Sequence, residues 1–98
     1  MWVLQSSEPN DGSLIFRLPL GAVKTVGRAA RADFIVDAAL VSRLHCRLVA
    51  GAEKLEVEDL SSTNGTFVND NRVNRAQMSS GDRLRVGRVE LLVDRIND

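Results

Sequence analysis

The chain has one cysteine, Cys46, and one histidine, His45. A lone cysteine excludes an intrachain disulfide, and with a single histidine beside it no Cys/His metal cluster can form within the chain. Long apolar runs are missing as well. None approaches the roughly 20 residues that a membrane-spanning helix needs. The N-terminus shows no basic stretch leading into an apolar one, so no secretory signal is legible. These absences point to a reducing setting, with the cytoplasm (or the nucleus, if the protein is eukaryotic) as the expected location and no membrane contact. Net charge is absent too: 13 Lys and Arg balance 13 Asp and Glu. Without a basic excess no direct nucleic-acid partner is expected, and any anion site must be local. Catalytic signatures are lacking in the same way. There is no Gly-x-Ser-x-Gly elbow, no Walker loop, no His-Glu-x-x-His and no zinc ligand set. Ser42, His45 and Asp59 supply the residue types of a hydrolytic triad. Nothing in their spacing fixes a base, an orienting acid and oxyanion donors together. The expectation is a protein that is not an enzyme and takes no cofactor or metal.

What is present suits one domain. At 98 residues, with 44% hydrophobic and 27% charged residues, residues 1–98 read as a single soluble domain that could stand within a longer protein. A monomer is the default expectation. Eleven of the 13 basic residues are arginines, whose planar fork of donors matches phosphate or carboxylate better than a lysine does. Many of them are expected to be solvated surface.

The hydrophobic pattern is that of strands. Lys54-Leu55-Glu56-Val57-Glu58 and Arg83-Leu84-Arg85-Val86 alternate polar and apolar, as a half-buried sheet requires. Trp2 to Leu4, Leu14 to Leu18, Val23 to Val26, Cys46 to Val49 and Leu91 to Val93 are short runs rich in β-formers. The alanines between Arg28 and Ala39 could support a short helix, but Asp33 to Asp37 reads better as a strand. Turn signals separate these runs: Glu8-Pro9-Asn10-Asp11-Gly12, Gly51, Asn64-Gly65, Asp70-Asn71, Ser80-Gly81-Asp82 and Gly87. Short strands at such spacing favour an antiparallel sandwich or barrel.

Three loop elements carry chemistry. Gly27-Arg28 closes the strand read over Val23 to Val26, where glycine permits close backbone approach and the arginine projects into a loop. Ser42-Arg43-Leu44-His45 offers a hydroxyl and a guanidinium side by side, both able to donate to phosphate oxygens. Leu44 is expected to anchor that turn and His45 to bond backbone. The third element, Asp59 to Asn69, packs Ser61, Ser62 and Thr63 ahead of an Asn64-Gly65 turn and then enters the apolar run Thr66-Phe67-Val68. Short hydroxyl side chains stiffen loops by bonding backbone. On its own Asn-Gly reads as a hairpin turn. Asn64-Gly65-Thr66 also matches a glycosylation sequon, but without a secretory signal the turn is the better reading.

In this order and at this spacing, the three elements resemble the forkhead-associated domain family over nearly the whole chain. The resemblance implies an all-β fold, a β-sandwich of two twisted, mainly antiparallel sheets with about eleven strands and recognition loops at one end. It implies a binding module for a phosphothreonine-containing protein or peptide in Ser/Thr-kinase signalling. By the same resemblance Arg28 would contact the phosphate or the adjacent peptide backbone. Ser42 would donate its hydroxyl to the phosphate, Arg43 would add charge beside it, and Thr63 would reach it from the third loop. Asn64 would hold the peptide main chain extended. Gly27, His45, Gly65 and Asn69 match positions that shape the loops. Selection of the third residue after the phosphothreonine would fall to Arg31, Asp33, Ala39 or Leu40; Arg31 would favour an acidic residue, Leu40 an aliphatic one. The alternative is a phosphate-independent structural or oligomerisation domain on the same scaffold, whose interactions phosphatase would not disturb.

Overall fold

The computed structural model describes residues 1–8 and 13–96, so the turn expected at Pro9 to Gly12 lies outside the described residues. These residues contain eleven strands and no helix: β1 (Trp2–Ser6), β2 (Ile15–Leu18), β3 (Val23–Gly27), β4 (Phe34–Ile35), β5 (Cys46–Ala50), β6 (Leu55–Asp59), β7 (Thr66–Val68), β8 (Asn71–Val73), β9 (Arg75–Met78), β10 (Arg83–Val86) and β11 (Val89–Arg95). They form a six-stranded sheet, β2-β1-β11-β10-β7-β8, and a five-stranded one, β4-β3-β5-β6-β9. Every pairing is antiparallel except β3 with β4.

The alternation read from the sequence sets the faces. Leu55 and Val57 are buried while Glu56 and Glu58 are only partly covered, and Leu84 and Val86 are buried between Arg83 and Arg85. The core lies between the sheets. Leu4, Leu18, Leu84 and Leu91 meet Val26, Leu48, Leu55 and Met78 there, all fully buried. Each such side chain contributes roughly 1.5–3 kcal/mol through burial. Trp2 reaches across to donate its indole N–H to the Gly51 carbonyl at 2.8 Å. Phe16 of β2 stacks on Phe34 of β4, with ring centroids 4.6 Å apart, and so joins an edge of one sheet to an edge of the other.

Several local expectations need correction. The strand expected over Asp33 to Asp37 shrinks to Phe34–Ile35, because the Asp33 carboxylate turns back to accept hydrogen bonds from the Thr25 N–H and hydroxyl. The turn expected at Asp70-Asn71 sits one residue earlier. Asn69 and Asp70 both have positive φ, 49° and 69°, the pattern of a two-residue type I′ hairpin, and Asn71 already belongs to β8. The Asn64-Gly65 turn, by contrast, is as expected: Gly65 has a φ of 92° and the chain enters β7 at Thr66, with the loop crossing from the sheet of β6 to that of β7. Strands β8 and β9 are sheet edges; β8 buries none of its side chains, and β9 alternates only over Ala76 and Met78, of which Met78 is buried.

Strands β1 and β11 pair along their length, Trp2 opposite Arg95 and Ser6 opposite Leu91. The Ile96 N–H donates to the Met1 carbonyl at 2.8 Å, and the N-terminal ammonium donates to the Ile96 carbonyl at 3.1 Å. At the other end of β11, Gly87 (φ 58°) packs against the Ala39 carbonyl oxygen; a Cβ there would stand 3.0 Å from it.

Candidate functional site

Three loops meet at that same end of the sandwich: 28–33, 36–45 and 60–65. The first two are joined by backbone hydrogen bonds just beyond the end of β3. The Arg28 N–H donates to the Ser42 carbonyl at 2.9 Å and the Ala29 N–H to the Arg43 carbonyl at 3.1 Å. Gly27 makes this possible: a Cβ at that position would overlap the Arg43 carbonyl. The Arg28 side chain is then fixed by its own Nε, which donates to the Val41 carbonyl at 3.1 Å. Its terminal nitrogens remain free of partners among the described residues.

The third loop is tied on through Ser42 and His45. The Ser42 Oγ accepts the Thr63 N–H at 3.0 Å, so its own hydrogen stays available for donation. The Ser42 N–H donates to Nδ1 of His45 at 3.0 Å, and His45 Nε2 lies 2.8 Å from the Gly65 carbonyl. An accepting Nδ1 assigns the proton to Nε2, which donates to Gly65. The ring is fully buried. With both nitrogens engaged on backbone, neither is placed to take a proton from the Ser42 hydroxyl. Asp59 does not bond the ring either. Its carboxylate accepts the Ser62 hydroxyl at 2.5 Å, the Ser62 N–H at 3.1 Å and the Thr66 hydroxyl at 2.6 Å. The Ser62 Oγ in turn accepts the Gly65 N–H at 3.0 Å. Partial burial pushes the Asp59 carboxyl upward, but the bonds from Ser62 and Thr66 outweigh it and leave the group below the usual carboxylate range. Beneath this brace, burial pushes the Cys46 thiol up and the Asp59 charge adds to the effect.

Asn64 is held from the other side, its Nδ2 donating to the Leu40 carbonyl at 3.1 Å. Leu40 has a φ of 71°, unusual for a residue with a side chain. Gly65, at φ 92°, lies so close to Arg72 that a Cβ would come within 2.7 Å of its Nε.

Arg28, Ser42, Arg43, Thr63 and Asn64 all line one open cleft of about 830 Å³. Ala39 and Leu40 line it as well, whereas Arg31 and Asp33 lie outside its lining. The bonds from Thr25, backbone first, hold the Asp33 carboxyl below the usual range. His45 and Gly65 sit behind the cleft wall, and Gly27 beneath Arg43. Asn69 is remote from the cleft lining. It bonds Asp82 and both pairing groups of Arg83 at the β7–β8 turn. Sequence reasoning passed over Asp37 and Ser61, which line the cleft, and the Val41 carbonyl that steers Arg28. It also missed the Asp59–Ser62–Thr66 brace, whose Asp-x-x-Ser spacing was the available signal. Chemically, the cleft presents two guanidinium groups and the hydroxyls of Ser42, Ser61 and Thr63, none of which donates to a described residue, a donor set suited to a phosphate group. Among the described residues no cluster of metal-ligating side chains forms, and no helix is long and apolar enough to cross a membrane.

Fold and cleft define a β-sandwich whose loops at one end form a candidate ligand site. The chain belongs to the FHA domain family, whose model matches residues 24–87. Among curated proteins it is 41% identical over 81 residues to the ABC transporter ATP-binding/permease protein Rv1747 of Mycobacterium tuberculosis, covering 83% of this chain and 9% of that protein. It is 33% identical over 84 residues to the glycogen accumulation regulator GarA of the same species, covering 86% of this chain and 51% of GarA. The chain therefore spans a small part of one relative and about half of the other. A structure from a structural and functional analysis of phosphothreonine-dependent FHA domain interactions superposes with a TM-score of 0.88 at 30% identity, covering 99% of this chain and 98% of that one.

Proposed function

We propose that this chain is a phosphothreonine-dependent protein-binding module that docks a phosphorylated segment of a partner in Ser/Thr-kinase signalling in the cytoplasm. The observation that carries this reading is the convergence of Arg28, Arg43 and the free hydroxyl hydrogen of Ser42 on one cleft. In this reading Arg28 and Ser42 bind the phosphate, Arg43 adds charge, Thr63 supplies a further hydroxyl, and Asn64 bonds the peptide main chain. Preorganisation by His45 means that little ordering is left to be done on binding, which favours affinity. The likeness to the structure from the phosphothreonine-dependent interaction study supports the choice of ligand. The test is titration of a labelled phosphothreonine peptide library, with phosphoserine and unphosphorylated libraries as controls, against the parent, Arg28→Ala and Ser42→Ala. Binding confined to phosphothreonine, and lost in both folded variants, is expected. Undiminished binding by the two variants would show that the pocket is misassigned.

A further inference from the structure

Within the cleft one lining group works against a phosphate. Asp37 is exposed, and it is the only carboxylate among the described residues that line the cleft. Among those residues it makes no hydrogen bond and no ion pair, unlike Asp33 and Asp59, which are both committed to neighbours. It is nevertheless firmly presented. Val36 and Val41, on either side of the segment, are buried in the core, and the Ala38 N–H donates to the Val36 carbonyl at 3.0 Å. The residues beside it, Ala38, Ala39 and Leu40, offer no side-chain donor or acceptor. A bare carboxylate in a site for a doubly charged phosphate repels that ligand. The repulsion becomes selectivity when the ligand carries its own cation near the phosphate: a basic neighbour is rewarded and an acidic one penalised.

We infer that Asp37 selects phosphothreonine segments bearing a lysine or arginine close to the phosphorylated residue. The inference rests on the phosphothreonine reading of the same cleft and names the partner sequence that it takes. A cleft of this volume is roughly 12 Å across and an extended chain advances about 3.3 Å per residue, so the basic side chain lies within about four residues of the phosphothreonine.

The experiment is a peptide array in which each position flanking a phosphothreonine is replaced in turn by Lys, Ala and Asp. It is probed with the parent chain, Asp37→Asn and Asp37→Lys. Because the Asp37 side chain bonds none of the described residues, neither substitution removes a structural contact among them. The parent is expected to favour Lys over Ala by about two- to fivefold at one fixed position, the range of an exposed ion pair, and to disfavour Asp there. Asp37→Asn should flatten that position and Asp37→Lys should invert it. A parent that binds phosphothreonine peptides without a basic preference overturns the inference alone, as does a preference that survives Asp37→Asn. A parent that binds no phosphothreonine peptide overturns the phosphothreonine reading, and this inference with it.

Discussion

His45 joins two loops through a fully buried ring, and replacing it measures what that junction contributes. In His45→Ala the Ser42 N–H loses its acceptor and the Gly65 carbonyl its donor. Each buried group left unpaired costs about 1–3 kcal/mol, so the variant should lose roughly 2–6 kcal/mol, cavity aside. Against a total stability of about 5–15 kcal/mol, that is a large fraction. Two further variants divide the loss. Asparagine places an acceptor near the position of Nδ1 and can keep the Ser42 bond; glutamine places a donor near the position of Nε2 and can keep the Gly65 bond. Each should recover roughly half of the deficit. Urea denaturation followed through Trp2 fluorescence gives the order parent, then asparagine and glutamine, then alanine, as a shift of midpoint at constant slope. Three equally destabilised variants would refute the argument, since the ring would then act by filling volume alone. A loss below about 1 kcal/mol for alanine would refute it as well, because neither backbone group would be buried enough to need its partner.

Other outcomes follow from the same contacts. Gly27→Ala sets a Cβ against the Arg43 carbonyl, a backbone atom that cannot rotate away, and should cost at least about 1–3 kcal/mol in thermal denaturation. Asp59 has its carboxyl held down in the folded chain, so its share of stability is present above the unfolded carboxylate value of about 4 and disappears as pH falls through the lower folded value. Asp59→Asn should therefore flatten the fall in stability below about pH 4, as read from urea midpoints at stepped pH. Trp2→Phe removes the indole bond to the Gly51 carbonyl while keeping most of the apolar bulk, and should lower stability by about 1–3 kcal/mol in guanidinium denaturation.

Much of this architecture was legible because it depends on period-two burial. Leu55, Val57, Leu84 and Val86 announce their strands by alternation, and their polar neighbours announce the outer face. The short edge strands give a weaker signal. Asn71 to Val73 is held by backbone pairing with one neighbour and buries none of its side chains, whereas Arg75 to Met78 turns only Ala76 and Met78 inward, too short an alternation to announce a strand. Asn64-Gly65 alone does not tell a hairpin from a loop, because a positive φ at Gly65 is needed equally by a crossover between sheets; the hydroxyls before it and the two companion elements made the difference. In the cleft, the residues read from motifs were side chains with evident donors. The parts that escaped were a backbone carbonyl at Val41, which no residue type encodes, and Asp37, whose importance depends on which charges the fold brings near it.

The pairing of the first strand with the last has a practical meaning for anyone attaching this chain to something else. Residues 1 and 96 exchange backbone hydrogen bonds, so these two residues share one point on the surface. That point and the Gly87 turn beside Ala39 lie at opposite ends of β11, and seven residues separate them by about 20 Å at the rise of a strand. A fluorophore, bead or fusion partner joined beside residue 1 or residue 96 therefore starts on the far pole from the cleft. A linker from there needs at least six or so extended residues before anything it carries can compete for the loops. Surface immobilisation at that pole leaves the cleft facing solution.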